Sequence, residues 1–359
     1  MVKRSSLLKR MRWYLDLTFG RNESRSLPPS RQLVEILLLL AFRGIGPGYY
    51  HTAGFWRREV PFREKWGHLN GREYQRCIRR ANPTPYHKLS QNKIAEKGIL
   101  TLLGFPTPRC LGVLDTEDGR AWNGSSLRNA EDLRRLLLES GVARVCFKPV
   151  EGWAGVGFRA AEVRGRGTDL RCRSLDGQTE VSVEEFHRSL LRERNDRYLL
   201  EEYIEQHPDL SSFNPSSVNT LRLWVVKYPD QKTKVVVGYL RIGRSGSLVD
   251  NQSAGGIVAP VDLQTGILQR AIDGNPEREE FIVHPDHGAA IEGKKVPFLE
   301  EAKTLASSAL GPFSEIRFAG LDVAITTTGP VLLELNVNPD RKGAAFADVV
   351  TGVVLNPFQ

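Results

Sequence analysis

The spacing of apolar residues changes part-way along the chain. Up to about residue 85 they recur at helical intervals, predicting an amphipathic basic helix over 3–17 and further helices over 31–42 and 72–80. The run Asn82-Pro83-Thr84-Pro85 stops a helix, since proline disfavours helical backbone in the residue before it, and predicts a domain boundary. Beyond it strands and helices alternate. A helix over 89–103, stopped by Gly104 and Pro106, leads to a strand at 109–114, and a helix over 127–139 leads to a strand at 144–150. A glycine-rich loop follows, then a strand at 157–163, a helix over 183–194 and a strand at 197–204. From Val218 onward strands dominate, at 220–228, 234–242 and 257–261. A helix over 297–310, strands at 318–326 and 331–337 and a helix over 343–354 complete the pattern. The expected class is α/β with α+β lobes. Its expected parts are a helical basic region (1–85), a linking subdomain (86–145), a small lobe with the glycine-rich loop (146–205) and a C-terminal lobe (206–359).

The stretch FAGLDVAITTTGPVLLELNVNPD carries the most chemistry. Two apolar strands flank Thr327-Thr328-Gly329, a three-residue hairpin signal. Closing that turn sets Asp322 opposite Glu334 and Gly320 opposite Asn336, all on one face, and sends Leu321, Val323, Leu333 and Leu335 to the other. Two facing carboxylates with Cβ atoms about 5 Å apart repel unless a cation lies between them. Two carboxylates and an amide oxygen are hard ligands suited to Mg²⁺ shared with phosphates.

Three further stretches stand out. In VCFKPVEGWAGVGF, Lys148 interrupts an apolar strand and needs an anion. Gly152, Gly155 and Gly157 follow it in a loop whose amides can approach phosphate oxygens, although neither a Walker A nor a dinucleotide fingerprint is present. In RYLLEEYIEQHPDL a buried strand ends at Glu201-Glu202-Tyr203-Ile204, a place to read an adenine edge. Arg222 and Arg241 interrupt apolar strands, where pairing with acids competes with anion binding. Asn251-Gln252-Ser253-Ala254-Gly255-Gly256 follows them.

Composition narrows the setting. The 359 residues are 40% hydrophobic and 26% charged, which excludes disordered, collagen-like and silk-like chains. Four scattered cysteines (Cys77, Cys110, Cys146, Cys172) show no C-x-x-C pair, so neither a disulfide framework nor a structural zinc site is expected. The longest apolar run, 33–42, is half the roughly 20 residues a membrane span needs. Lys9, Arg10 and Arg12 interrupt the N-terminus where a signal peptide needs an apolar stretch. A cytoplasmic protein is expected, with peripheral membrane contact as a variant. Net charge is +8, and residues 1–80 alone hold 17 Lys and Arg against 6 Asp and Glu, leaving −3 for the remainder. That skew, with Trp13, Trp56 and Trp66 among the arginines, suits an acidic partner or an anionic membrane surface; a solvated face is the competing reading.

Together these pieces, from about residue 92 to 340, resemble the ATP-grasp superfamily, with its motifs in order. Within it they are similar to the sugar-transfer-associated and α-L-glutamate-ligase-related proteins, which share a run like QHPDLSSFNPSSVNTLRL. The resemblance implies two lobes clasping ATP with Mg²⁺, one ion or two, or Mn²⁺ in its place. NKIAEKGILTLLGFPTP looks like the segment of the first phosphate lysine; D-alanine–D-alanine ligase spacing falls on Lys97, with Lys93 second. Lys148 is then the second lysine, with Gly152, Gly155 and Gly157 in the phosphate-covering loop. Glu201, Glu202, Tyr203 and Ile204 form the adenine hinge, with His207 helping to hold the nucleotide. Asp322, Glu334 and Asn336 match the metal signature. Arg222 and Arg241 match catalytic arginines, and Asn251, Ser253, Gly255 and Gly256, with Asn338, match the substrate loop. The implied reaction is ATP-dependent ligation of a small-molecule or peptide carboxylate to an amine through an acyl phosphate. The alternatives are a kinase acting on a small molecule or sugar, and a non-catalytic nucleotide-binding interaction protein. No nucleic acid partner is implied, and oligomeric state is left open. The chain departs from most such ligases at the front, where a helical basic segment replaces a Rossmann-like domain.

Overall fold

The structure is a computed structural model that describes residues 7–21, 23–152, 155–177, 179–192 and 197–359. Five helices lead the chain: α1 (Leu7–Gly20), α2 (Pro29–Arg43), α3 (Pro47–Thr52), α4 (Phe62–Gly67) and α5 (Gly71–Ala81). Local chemistry sets their ends. Proline at the first position of α2 lacks only an N–H that would be orphaned anyway, and Gly44 closes the helix at φ 63°. Asn70 and Glu73 cap α5 reciprocally: Asn70 Oδ1 accepts from Arg72 and Glu73 N–H, and Glu73 accepts from Asn70 N–H, each at 2.9 Å.

The helix expected over 89–103 is two helices, α6 (Lys88–Gln91) and α7 (Lys93–Leu102). Asn92 leaves helical geometry and its side chain accepts from the Ile94 and Ala95 N–H groups, an N-cap at the break. The first sheet follows: β1 (Cys110–Asp115), β2 (Arg120–Ala121), β3 (Arg144–Pro149), β4 (Arg159–Arg164), β5 (Arg171–Ser174), β6 (Glu180–Ser182) and β7 (Arg197–Glu202), ordered β2-β1-β7-β3-β4-β5-β6. Helices α8 (Ala130–Ser140) and α9 (Val183–Leu191) bury Leu133, Leu137, Phe186 and Leu190 against Val145, Phe147 and Leu200. The expected helix over 183–194 thus ends at Leu191, and 193–194 lie outside the described residues.

After α10 (Pro208–Ser211) the second sheet is ordered β12-β11-β10-β9-β8-β13-β14. Its strands are β8 (Thr220–Lys227), β9 (Thr233–Ile242), β10 (Ile257–Pro260), β11 (Ala271–Ile272), β12 (Glu280–Phe281), β13 (Phe318–Thr326) and β14 (Gly329–Asn336). Both sheets are antiparallel at every described pair, so the lobes are of α+β type. The second sheet is buried on both faces. Leu221, Leu223, Leu321, Val323 and Leu335 pack against α11 (Leu299–Leu310). On the other side Trp224, Val226 and Phe318 pack against Tyr74, Cys77 and Ile78 of α5. The helical front of the chain therefore shares a core with the C-terminal lobe. Asn82, at the helix stop, is fully buried: its Nδ2 donates to the Phe318 and Val337 carbonyls, both at 2.6 Å, and its Oδ1 accepts from Arg317 and Phe318 N–H. The last expected helix is likewise two pieces, α12 (Lys342–Phe346) and α13 (Thr351–Val354), separated where Asp348 adopts φ 52°.

The β13–β14 hairpin reaches the expected pairing by a different route. Thr326 pairs with Gly329, so the turn is the two residues Thr327-Thr328, one shorter than its sequence signal. A β-bulge then restores the count, and Asp322 still faces Glu334 and Gly320 faces Asn336. The extra residue is Leu333. Leu332 takes the core position expected for it, and Leu333 lines the cleft described below.

Two buried histidines make the helical front acid-sensitive. Burial, helped by Arg21, pushes His51 down to about 4, and burial, helped by Arg341, pushes His68 to about 4. Each ring bonds a neutral hydroxyl, Thr18 at 3.2 Å and Tyr49 at 3.0 Å. Folded-state values below the ordinary 6.5 mean that the unfolded chain takes up these protons first. Their contribution to stability is complete above about pH 6.5 and is lost as pH falls toward 4. Thermal unfolding should therefore shift downward through pH 6–5, before most carboxylates titrate. A His51→Gln/His68→Gln variant should lose that part of the slope, and an unchanged slope would refute the assignment.

Candidate functional site

A cleft of about 1140 Å³ runs along α7, β3, the end of β7 and the second sheet. Its floor is a row of side chains set by strand register. Tyr239 on β9 pairs with Arg222 on β8, Arg222 with Asp322 on β13, and Asp322 with Glu334 on β14. Gly320 lies beside Arg222 in the adjacent row; a Cβ there would sit 3.2 Å from Arg222 Cδ.

Charge is organised along this row. Asp322, 6% exposed, receives Arg222 through both carboxylate oxygens (Nε, and Nη2 at 2.7 Å) and Arg241 Nη1 at 3.0 Å. Burial alone would raise the Asp322 carboxyl, but the two guanidiniums outweigh it and hold it below its ordinary value. The chain continues from Arg241 to Asp250 Oδ1 at 2.5 Å and to Asn251 Oδ1, and from Asp250 to the Thr220 N–H at 3.0 Å and its hydroxyl. Burial raises the Asp250 carboxyl even against Arg241. The salt-bridge reading of the two arginines is thus present, in the floor of the cleft.

On the opposite wall Glu201, 2% exposed, pairs with Lys97 at 2.7 Å and Lys148 at 2.5 Å. Burial would lower the Lys148 ammonium, but Glu201, with smaller help from Cys146 and Glu334, holds it above its ordinary value. Lys97 also donates to the Pro108 carbonyl, so its ammonium is committed to protein oxygens. Lys93, one turn earlier, lines the cleft with no hydrogen bond or ion pair to its ammonium among the described residues. The break at Asn92 places it there: the Lys93 N–H bonds the Val150 carbonyl at 3.0 Å, tying the start of α7 to the end of β3.

The expected residues are not all at the cleft. Lys93, Lys97, Lys148, Gly152, Gly155, Glu201, Glu202, Tyr203, Ile204, Arg222, Arg241, Asn251, Ser253, Asp322, Glu334, Asn336 and Asn338 line it. His207, Gly157, Gly255 and Gly256 do not. His207 instead accepts the Asp209 N–H at 3.2 Å and caps α10. Gly256 has a backbone role, since a Cβ would lie 2.4 Å from the Asp250 carbonyl oxygen. Gly155, at φ 71°, approaches Val249 and Asn251, so the glycine-rich loop touches the Asn251–Ser253 turn; Trp153 and Ala154 lie outside the described residues. At the hinge, the Glu202 and Tyr203 N–H groups are used by Arg109 and Arg144 carbonyls, and Ile204 is the first residue beyond the sheet. Both Glu201 oxygens face the lysines rather than an open edge.

Two site residues escape the sequence reading. Asp250 carries no local signal, because its partners come from β8 and β9. Glu96 is buried on the same helix face as Lys93, and its carboxylate accepts the Leu335 N–H beside the bulge. Burial, then Glu334, raise the Glu96 carboxyl well above its ordinary range. Its three-residue spacing from Lys93 was the available clue. As a cation site, Glu334 and Asn336 face the cleft, and Glu334 has no ion-pair partner among the described residues. Asp322 shares its oxygens with two arginines. Among the described residues no three His, Cys, Asp or Glu groups form a metal cluster. An open set of hard oxygens fits a Mg²⁺ whose other ligands are phosphate or water oxygens.

Two lobes around a cleft of this construction are the ATP-grasp fold. The chain belongs to the sugar-transfer associated ATP-grasp family, whose profile matches residues 72–358. No curated protein matches it in sequence. Among solved structures it is similar to the ATP-grasp ligase PsnB complexed with minimal precursor, Mg and ADP (17% identity, 77% of this chain and 60% of that one, TM-score 0.40). It is also similar to the D-alanine–D-alanine ligase from Coxiella burnetii (14% identity, 70% and 48%, TM-score 0.35). A third is a biotin carboxylase from Campylobacter jejuni (12% identity, 76% and 47%, TM-score 0.45). The chain thus spans about half to three-fifths of the length of these proteins.

Removing Asp250 should expose what the buried charge chain holds. Asp250→Ala leaves Arg241 short of one carboxylate and Thr220 short of its acceptor, and should lower stability by about 3–5 kcal/mol. Urea unfolding measures it. A loss under about 1 kcal/mol would mean that Asp322 and Asn251 satisfy Arg241 alone.

Proposed function

We propose that the chain is an ATP-dependent ligase that joins a carboxylate to an amine, forming an amide through an acyl phosphate. The observation that carries this reading is the convergence in one cleft of the Lys93 and Lys148 ammoniums with the Arg222–Asp322–Glu334 row. Lys93 and Lys148 would bind the nucleotide phosphates, with Lys97 helping to neutralise Glu201. The amides around Gly152 and Gly155 would cover the phosphates, and Ile204 would meet the adenine edge. Glu334 and Asn336, with the remaining lone pairs of Asp322, would hold Mg²⁺, which when bound offsets charge on the β- and γ-phosphates.

In the reaction a substrate carboxylate oxygen attacks the γ-phosphorus and ADP leaves; an amine then attacks the acyl carbon, phosphate leaves, and the amine gives up a proton. Protein groups position and neutralise rather than react covalently. Arg222, and Arg241 behind it, face the cleft where negative charge develops on the acyl phosphate and its tetrahedral adduct. The Asn251–Ser253 turn and Asn338 border the same space and would contact the substrate.

The direct test incubates the protein with ATP, Mg²⁺ and panels of carboxylates and amines, following ADP release and product mass. ADP release that requires both substrates, with a product equal to their sum less water, is expected. A phosphorylated product formed without amine would replace the reading with a kinase, and no turnover with any pool would overturn catalysis. Two sets of variants test the assignments. Glu334→Gln should keep the fold and lose at least about a hundredfold in kcat, since a carboxylate that would hold Mg²⁺ is gone; unaltered Mg²⁺ dependence would remove it from the metal set. Lys93→Ala should raise KM for ATP with little change in melting temperature, whereas Lys97→Ala should chiefly destabilise, because it strips Glu201 of a counter-ion. The reverse pattern would restore Lys97 as the phosphate lysine.

A further inference from the structure

Helix α2 buries Ile36 and Leu39 in a core with Tyr50 and Trp56 and is apolar on its outer face as well, in a way the ligase chemistry does not use. An ordinary surface helix places apolar residues inward and charges outward. Between residues 33 and 42 α2 has one charged residue, Glu35, and it points inward, buried against Lys65 at 2.7 Å and the Tyr50 hydroxyl at 3.0 Å. The outward positions are Val34, Leu37, Leu38, Leu40 and Phe42, between 38% and 71% exposed. Phe42 adjoins the half-open Trp66 of α4, ring centroids 6.4 Å apart, and Arg43 lies over the same indole. Helix α1 repeats the pattern. Leu8, Met11, Leu15 and Phe19 recur at intervals of three and four, within about 80° of helix circumference, and are 44–77% exposed. Exposed Arg12 borders that stripe, with exposed Lys9 and Arg10 farther round the helix. The two helices touch each other, and no helix among the described residues is long and apolar enough to cross a membrane.

We infer that α1 and α2 dock the protein on an anionic lipid surface, lying in the plane of the interface. Apolar side chains of this number, with Phe and Trp among them and a rim of lysine and arginine, match an interfacial helix pair whose binding sums apolar burial and attraction to acidic headgroups. Charge decides between occupants. The exposed charged side chains of α1 and α2 among the described residues are Lys9, Arg10, Arg12 and Arg31 against Asp16, so a second copy would set like charges together. An anionic bilayer meets both the charge and the breadth of the apolar face.

The test is vesicle co-sedimentation of the full chain, with phosphatidylcholine alone and with phosphatidylcholine containing phosphatidylglycerol. Binding to the anionic vesicles is expected, weakening on the order of tenfold or more between about 0.1 M and 0.5 M salt as the Debye length shrinks. Leu37→Glu/Leu38→Glu/Phe42→Glu and, separately, Arg10→Glu/Arg12→Glu should each release the protein into the supernatant with an unchanged melting temperature, since every altered side chain is exposed. Wild-type protein that ignores anionic vesicles, or binds both lipid mixtures equally, overturns the inference. So does a dimer in sedimentation velocity that the leucine variant dissociates, which would make the face an interface between copies.

Discussion

Everything at the cleft depends on keeping four charges buried in a line: Arg222, Asp322, Arg241 and Asp250. An isolated guanidinium or carboxylate at this depth would be expelled or neutralised. Alternation solves the problem, each charge touching one or two of opposite sign, with Thr220 and Asn251 taking up part of the remaining hydrogen-bonding capacity. The line crosses β8, β9 and β13 and ends in the Asp250–Ser253 segment, so it fixes sheet register and loop position together. Among the described residues Glu334 stands next in the row without an ion-pair partner, and that makes it the chemically open end.

Much of this was legible in the sequence because strand alternation is a strict rule. Asp322, Glu334 and Asn336 could be put on one face from spacing alone, and the structure keeps that pairing. It does so through two departures that cancel, a turn one residue shorter and a bulge one residue longer. Bulges leave no reliable local mark, which is why Leu333 was expected in the core and lines the cleft instead. Arginines inside apolar strands were likewise readable as paired, but their partners were not. Asp250 lies beyond the end of β9, and nothing nearby announces that its acceptors will serve Arg241 and Thr220.

The breaks at Asn92 and Asp348 show a second limit. Apolar periodicity runs on through both, so a continuous helix is the natural expectation, yet an Asn side chain capping its own second and third neighbours is enough to restart α7. That local event has a distant consequence, since it swings Lys93 toward the cleft and anchors it to β3. Double burial of the second sheet was also hard to foresee. Its strands read as almost continuously apolar, and only the position of α5 shows that the helical front covers their outer face.

Glu201 gives the final step. The cleft gathers ammoniums from α7 and β3, elements that contact different parts of the molecule, and two such cations would repel each other in a poorly solvated wall. A fully buried carboxylate at the end of β7 binds both, and its own charge is secured by them, since burial would otherwise neutralise it. It is less a reader of a ligand than a counter-ion that allows a dense positive wall to exist opposite Glu334. The wall, with its ammoniums, and the row that ends at Glu334 then face each other across the cleft. The charges that shape the cleft thus come from separate parts of the chain, α7, β3 and β7 on one wall and β8, β9, β13 and β14 on its floor, and only the folded sheets bring them together.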